Sequence, residues 1–417
     1  MLVARTDIAY YRVRKPCPGI LQPHLKGGRL QVKEQMTSRE RVMAALNHQE
    51  PDRVPLDLGQ ATGDGITVVA YRNLIRHLGL AERPIRIKHK FAQEALVDED
   101  VLRRLRVDFR FVEPGGPDGW KDQSIDENSY MDEWGVVRTM PPGGYYYDLT
   151  GSPLAQDGTI SAIERHRWPD PDDPGRYRGL RERARYLHEE TDYAVVAILN
   201  CAFFLRCCEL RGWEAFYMDV VANVEFAEAL MDRYLSIKMR IAERALEEVG
   251  EYVDVVMATS DDLGAIDRPL ISPTLYRSLI KPRQKRTFDF FKARTDAKLF
   301  YHNDGAIYPL IPDFIELGTD ALNPVQVSAA GMGDTRKLKA EFGDKLTFWG
   351  AIDTQHVLPH GTPDEVREEV RRRIQDLGPG GGYVVCSVHN IQPEVPPANV
   401  VAMFDAAYEL GRYPLSL

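Results

Sequence analysis

The sequence has few cysteines and no long apolar run. Its five cysteines form no CxxC pair, and an odd count is typical of reduced thiols rather than of a disulfide framework. No stretch approaches the roughly 20 apolar residues that cross a bilayer, and the first residues lack the apolar segment of a signal peptide. These absences argue against a disulfide-stapled secreted domain and a membrane protein, and we expect a cytoplasmic location.

An excess of positive charge is also absent. The chain carries 62 acidic and 53 basic residues, for a formal net charge of −9, whereas nucleic-acid-binding proteins usually present clustered lysine and arginine. No GxGxxG or GxxxxGK[ST] motif follows a predicted strand, so a nucleotide cofactor is not indicated. We therefore expect a small-molecule substrate and neither a nucleic-acid nor a membrane partner, and the sequence leaves oligomerisation open.

The chain does contain a regular alternation of short β-branched runs and helical segments. Its 417 residues suit one (β/α)8 barrel with additions, since such barrels span about 200 to more than 400 residues. Alternation of this kind predicts a parallel sheet with crossover helices, an α/β fold of the TIM-barrel type. The predicted strands are Val54–Leu58, Val107–Val112, Ala194–Leu199, Val253–Ala258, Lys298–Tyr301, Ala321–Asn323, Leu346–Trp349 and Tyr383–Cys386.

Two segments depart from this alternation. Residues 1–35 are polar and rich in Pro and Gly, and we interpret them as an N-terminal extension, either upstream of a natural start at Met36 or an ordered arm. The barrel domain then spans 36–417, with Thr37 or Ser38 capping its first helix. Residues 115–174 predict a small antiparallel insertion with strand-like pieces such as Glu133–Arg138.

One predicted strand ends in a histidine followed by an acid. The run Leu299-Phe300-Tyr301-His302-Asn303-Asp304-Gly305 places His302 and Asp304 two residues apart, so both side chains point the same way and could bind one ion. A hydrogen-bonded pair at the barrel rim is the alternative interpretation. An HxD pair alone does not decide between them.

A second strand ends in the same manner. His389 lies just past the strand Tyr383–Cys386, where it could also cap a helix or bind Asn390. Two nitrogens and one carboxylate leave a fourth position open for water or substrate, which is the arrangement of a Lewis-acid site. His302, Asp304 and His389 together therefore predict a divalent metal site.

Other polar residues follow the predicted strands, where the catalytic groups of such barrels lie. Asp261, Asp262 and Asp353 are the predicted catalytic acids, of which Asp262 could accept a proton or orient a metal ligand and Asp261 could equally cap a helix. The predicted substrate contacts are Asn323, Gln355, Asn390, Gln392 and Tyr146. Tyr146 belongs to the cluster Tyr145-Tyr146-Tyr147, which either covers the pocket or packs as ordinary loop tyrosines.

Several motifs, taken as a set over about residues 36–412, resemble the uroporphyrinogen decarboxylase superfamily. They are Thr37-Ser38-Arg39-Glu40-Arg41-Val42, Pro51-Asp52-Arg53-Val54-Pro55, Asp132-Glu133-Trp134-Gly135, Asp261-Asp262-Leu263-Gly264, His302-Asn303-Asp304-Gly305 and His389-Asn390-Ile391-Gln392-Pro393. That superfamily contains porphyrinogen decarboxylases and zinc-dependent methyltransferases that move methyl groups to or from a corrinoid or a thiol.

The two branches differ at recognisable places. The decarboxylases carry an arginine-rich PVWxMRQAGR motif where this chain reads VPLDLGQ over residues 54–60, so the resemblance favours the methyltransferases. Those enzymes bind zinc through a His-x-Cys pair and a distant Cys, and the corresponding positions here are His302, Asp304 and His389. Replacement of both sulfurs favours a harder, more acidic site.

The resemblance therefore implies an O-demethylase type of methyl transfer. A divalent metal, zinc by analogy, would act on a small methoxylated or methylated substrate, and cobalamin on a separate corrinoid protein would receive the methyl group. The alternatives are a decarboxylase or other lyase acting on a polycarboxylate such as a uroporphyrinogen, and a non-catalytic binding barrel.

Overall fold

The computed structural model describes residues 34–61 and 65–416. The interpretation of residues 1–35 therefore falls almost entirely outside the described part of the chain, and the start of the domain at Met36 stays a prediction.

Seven of the eight predicted strands form one parallel sheet in which each strand pairs with the next along the chain. This neighbour-to-neighbour order is what successive βα units produce when every crossover has the same hand. The strands are Phe109–Val112, Ala194–Ile198, Val255–Thr259, Lys298–His302, Ala321–Asn323, Thr347–Ile352 and Tyr383–Ser387.

The eighth predicted strand, residues 54–58, closes the sheet between its first and last members. Leu56 forms a parallel bridge with Val385, and the Asp57 N–H donates to the Val385 carbonyl at 3.0 Å. On the other side, the Asp108 N–H donates to the Leu56 carbonyl at 2.9 Å. Pro55 has no N–H to add to either ladder, which makes this strand irregular. The predicted TIM-type barrel is confirmed.

Helices alternate with the strands. Thr37 caps the first helix in a capping box with Glu40, as predicted. No helix in the described part of the chain is both long enough and apolar enough to cross a membrane. The α-helices are Ser38–Leu46, Val68–His77, Glu99–Arg104, Ile160–Arg165, Leu180–Glu190, Phe204–Arg211, Trp213–Ala222, Val224–Val249, Pro273–Leu275, Lys281–Lys292, Ile311–Leu317, Thr335–Phe342, Val357–His360, Pro363–Leu377 and Pro397–Leu410.

Large side chains fill the barrel interior. Trp349 is fully buried there, and its ring centroid lies 4.4 Å from that of Phe109 and 5.0 Å from that of Phe300. Such an interior is a packed core rather than a channel. Ligands are therefore confined to the rim, where the strands end.

The insertion contains a four-stranded antiparallel sheet, as predicted, made of Gln123–Ser124, Ser129–Met131, Val137–Thr139 and Asp148–Gly151. The prediction of strand structure over Glu133–Arg138 is wrong for most of its length. The Asp132 carboxylate accepts hydrogen bonds from the Trp134 and Val136 N–H groups, each at 3.0 Å, and Gly135 adopts φ +79°. These contacts make residues 132–136 a turn between two strands.

Candidate metal centre

His302 ends its strand with the side chain directed into the barrel mouth. Phe300 packs on Trp349 inside the barrel, and residues two apart on a strand point the same way. The strand register sets His302 opposite Asn323, whose Oδ1 lies 2.6 Å from His302 Nδ1. Because Asn323 Nδ2 donates to the Trp349 carbonyl at 3.1 Å, its Oδ1 is left to accept from His302. The imidazole therefore offers Nε2 to the mouth.

Asp304 lies between the two histidines. Its Oδ2 is 3.4 Å from His302 Nε2 and 3.6 Å from His389 Nε2. Its Oδ1 is buried and has no hydrogen-bond partner among the described residues. A buried carboxylate oxygen without a partner costs about 1–3 kcal/mol or more, and a bound cation would remove that cost.

The spacing of these three side chains fits a metal ion. One ligand atom from each of His302, Asp304 and His389 lies within 4.8 Å of the others. Zinc binds nitrogen and oxygen at about 2.0–2.2 Å in tetrahedral geometry, which separates ligand atoms by roughly 3.3–3.6 Å. The His302 side chain is 5% exposed and the His389 side chain 41%, so the site opens to solvent on the His389 side.

Asp262 joins the cluster through a close contact of two loops. A Cβ on Gly305, which adopts φ +90°, would lie 2.3 Å from the Gly264 carbonyl carbon, so the two loops approach this closely only with glycine. The approach lets the Asp304 N–H donate to Asp262 Oδ1 at 3.1 Å, and that oxygen is 3.7 Å from His302 Nε2. Of the two predicted roles, this geometry favours orientation of a metal ligand.

The carboxylates dominate the electrostatics of the cluster. Burial by itself lowers the pKa of His302, but Asp304 and Asp262 outweigh it and raise that pKa to about 10. Burial, with repulsion from Asp304, raises the pKa of Asp262 to about 6. Burial by itself raises the pKa of Asp304, but His302 and His389 outweigh it and lower that pKa. The cluster thus holds a positive charge, either a proton on His302 or a cation in its place.

Two of the predicted catalytic acids have structural partners instead. The buried Asp261 Oδ1 accepts from the Phe203 and Phe204 N–H groups at 3.0 and 2.8 Å, at the start of the helix Phe204–Arg211. Asp353 Oδ1 accepts from the Gln355 N–H at 2.8 Å and shapes the turn after its strand. Helix starts and turns carry unpaired N–H groups that such carboxylates satisfy. These contacts give both residues a structural role, and a catalytic role for either stays a prediction.

Two of the predicted substrate contacts form hydrogen bonds within the protein. Asn323 is fully buried and positions the His302 imidazole, while the buried Asn390 accepts from the Gly65 N–H at 2.9 Å. These hydrogen bonds engage the oxygen of each amide, and contact of either residue with substrate stays a prediction. Gln355 is exposed and accepts from the Ser328 hydroxyl, so its contact with substrate stays a prediction.

Tyr146 connects the insertion to the loop that carries His389. Its hydroxyl accepts a hydrogen bond from Gln392 Nε2, and burial raises the pKa of Tyr146 to about 12. This contact places Tyr146 against the loop of His389, while coverage of the pocket by Tyr146 and the contact of both residues with substrate stay predictions.

Asn303 is a positioning residue that the sequence interpretation missed. Its Oδ1 accepts from the Leu263 N–H at 2.9 Å, and its Nδ2 donates to the Asp261 carbonyl. These bonds fix the loop that carries Asp262. The only sequence signal was its place between His302 and Asp304, where alternation points it away from them.

Comparison with known proteins identifies the family. The family described as Uroporphyrinogen decarboxylase (URO-D) matches residues 146–410, which is more than half of the chain. The chain belongs to this family, and the resemblance noted in the sequence is confirmed.

Individual relatives are distant or matched over short segments. A protein named Uroporphyrinogen decarboxylase from Pseudoalteromonas translucida is 37% identical over 73 residues, or 18% of this chain and 20% of that protein. A protein of the same name from Trichlorobacter lovleyi is 21% identical over 288 residues, or 66% of this chain and 78% of that protein. The first of these matches thus spans about a fifth of its relative's length.

A solved structure shares the fold. A methyltransferase from Methanosarcina mazei aligns over 90% of this chain and 99% of its own, with a TM-score of 0.59 and 18% sequence identity. At this identity the likeness establishes the architecture, in agreement with the closed barrel described above.

Proposed function

We propose that the protein is a metal-dependent methyltransferase that moves a methyl group from a small methoxylated or methylated substrate to a corrinoid protein. The observation that carries the proposal is the convergence of His302, Asp304 and His389 at the barrel mouth, with one carboxylate oxygen left unpartnered. The fold shared with a protein named as a methyltransferase supports it.

The residues of the cluster would have different roles. His302, Asp304 and His389 would hold a divalent ion, with zinc as the first candidate. When bound, such an ion supplies Lewis acidity that polarises the oxygen of a methyl ether. Asn323 keeps His302 Nε2 directed to the ligand position, and Asp262 holds the Asp304 backbone. Nitrogen and oxygen ligands donate less charge than thiolates, which suits ether activation better than thiol activation.

Decarboxylation of a polycarboxylate is the second candidate, because the curated relatives bear that name. Carboxylate-rich substrates are usually gripped by bidentate arginines. Residues 54–61 contain no arginine, and Asp57 in that segment is buried with its Oδ2 3.2 Å from Trp349 Nε1. This segment therefore favours methyl transfer.

Metal analysis tests the site. Purified wild type, His302→Ala and His356→Ala would be compared by inductively coupled plasma mass spectrometry. His356 is a matched control, because it is also a rim histidine but its side chain is 72% exposed. We expect near-stoichiometric divalent metal in wild type and His356→Ala and less than about a tenth of it in His302→Ala. Equal metal content in all three proteins would refute the assignment.

Methyl transfer is tested separately with cob(I)alamin as acceptor and 4-methoxybenzoate among the methoxylated donors. We expect the absorbance change of methylcobalamin formation with wild type and His356→Ala and its loss with His302→Ala. Carbon dioxide release from uroporphyrinogen, without methyl transfer to cob(I)alamin from any donor, would instead favour the lyase.

A further inference from the structure

A second polar site lies outside the proposed metal cluster. A cavity of about 300 Å³ is bounded by the antiparallel sheet of the insertion, the segment 88–91, the strand-end residue Asn200 and two helices. It contains none of the three proposed metal ligands. Phe91, Tyr130, Trp134 and Tyr234 contribute aromatic rings to its wall. The volume suits a ligand with one ring, since small-molecule sites start at about this size.

Most charged groups around the cavity are already paired. Lys90 Nζ lies 3.1 Å from Asp122, and Lys88 Nζ lies 3.4 Å from the buried Glu94. His89 pairs with the same Glu94 at 2.7 Å through Nδ1 and lies 3.7 Å from Glu113 through Nε2, so three carboxylates face three cations. These three cations have carboxylate partners supplied by the chain.

Two arginines of the cavity wall share two acids. Arg138 and Arg206 each approach the same carboxylate, that of Glu209, at 2.8 Å. Asp132 is 3.9 Å from Arg138, and burial raises the pKa of Asp132 to about 6. Two arginines and two acids thus balance one another.

Lys238 adds one positive charge to these paired groups. It lies on the long helix Val224–Val249, lines the cavity and is partly buried. Its ammonium forms no hydrogen bond or ion pair with any side chain in the described part of the chain. Its burial, aided by repulsion from Arg206, lowers the pKa of Lys238. A partly desolvated ammonium without a counter-ion is unfavourable, and a bound anion would relieve it.

We propose that this cavity binds a small one-ring aromatic acid, with Lys238 as the partner of its carboxylate and the aromatic wall as the surface for its ring. A single unbalanced positive charge matches a monoanionic carboxylate better than a doubly charged phosphate. That this acid is also the methyl donor rests on the proposed function.

One loop connects a residue of the cavity wall to the metal cluster. Asn200 in the cavity wall accepts a hydrogen bond from the Ser260 hydroxyl at 3.1 Å. Ser260 precedes Asp262 by two residues, and Asp262 approaches His302. An acid bound in the cavity therefore lies beside the loop that carries part of the metal cluster.

Isothermal titration calorimetry at pH 7 tests the cavity without any methyl transfer. The ligands are 4-methoxybenzoate, its neutral analogue 4-methoxybenzamide, and inorganic phosphate. We expect wild type to bind the benzoate at least tenfold more tightly than the amide or phosphate. Lys238→Met should weaken benzoate binding at least tenfold, Lys238→Arg should retain most of it, and the exposed-site control Lys345→Met should leave it unchanged.

Three results would overturn the proposal. These are equal wild-type affinity for benzoate and benzamide, tighter binding of phosphate than of benzoate, and benzoate affinity unaffected in a folded Lys238→Met variant. The wild-type ligand comparison decides the matter even if Lys238→Met does not fold. Benzoate binding without methyl transfer would refute the proposed function alone, whereas methyl transfer with an unaltered KM in Lys238→Met would refute the cavity assignment alone.

Discussion

Two buried charged clusters lie at opposite ends of the barrel, and they differ in completeness. At the N-terminal ends of the strands, Asp108 accepts from Arg53 at 2.7 and 2.9 Å, from Arg41 at 2.8 Å, from the Ser38 hydroxyl at 2.8 Å and from the Leu56 N–H at 2.8 Å. Both of its oxygens are satisfied by the chain itself.

At the C-terminal ends, histidines are the ion-pair partners of Asp304 and Asp262 among the described residues. No lysine or arginine among the described residues forms an ion pair with either acid, and Asp304 Oδ1 has no hydrogen-bond partner there. In barrels of this type the N-terminal face serves stability and the C-terminal face serves chemistry. The first cluster is satisfied within the chain, whereas the second lacks lysine and arginine partners for its acids and is the one to which we assign a cation.

The largest expected effect is on the complete cluster. Asp108→Asn removes the buried anion that Arg53 and Arg41 share, although Arg41 keeps its ion pair with Asp52 at 2.6 Å. We expect the free energy of unfolding to fall by about 3–5 kcal/mol. Urea denaturation measures it, and metal content per folded chain should not change. A loss below about 1 kcal/mol would show that the Asp108 cluster does not stabilise the fold.

Asp304→Asn should show the opposite pattern. We expect metal affinity to drop at least about 100-fold, since a carboxylate ligand is lost. The metal-free protein should lose less stability than Asp108→Asn, because the ion pairs of Asp304 are with the two histidines and its Oδ1 has no hydrogen-bond partner to lose. Chelator competition and urea denaturation of the metal-free protein report the two quantities. A large stability loss in the metal-free state would show that this cluster is structural as well.

Asn323→Ala tests whether the neighbouring strand contributes to the site. Loss of the hydrogen bond to His302 Nδ1 frees the imidazole to rotate, and we expect metal affinity to fall by about 10–100-fold with the ligands intact. The same chelator competition measures it. An affinity equal to that of wild type would show that His302 is oriented by packing alone.

The clusters should also respond to opposite ends of the pH range. The pKa of His302 is raised to about 10, so a metal ion must displace a proton, and we expect its affinity to rise about tenfold per pH unit between pH 7.5 and 9. In the metal-free protein the stabilising proton is fully present below about pH 6.5 and lost as the pH rises through about 10.

Asp108 provides the contrast. Burial raises its pKa, but Arg53 and Arg41 outweigh burial and lower it, so its stabilisation is present above its unfolded pKa of about 3.9 and lost only in acid. Calorimetric metal titrations at two pH values and unfolding of metal-free protein across the range test both statements. A metal affinity independent of pH would contradict the charge assigned to His302.

The amino-acid sequence by itself determined the eight strands and the common direction of His302 and Asp304, because residue alternation and a spacing of two are local properties of a strand. It also predicted His389 at a strand end, since the carboxyl ends of parallel strands meet at one edge. These inferences need no knowledge of which strands touch.

Only the tertiary structure decided which residues contact the predicted metal ligands and line the cavity. The strand register set Asn323 against His302, the contact of Gly264 with Gly305 brought Asp262 to Asp304, and the packing of the insertion on the barrel created the cavity at Lys238. The physical reason is that hydrogen bonds and ion pairs depend on distances of a few ångströms between segments far apart in sequence. Those distances follow from register and loop approach, which no single segment encodes.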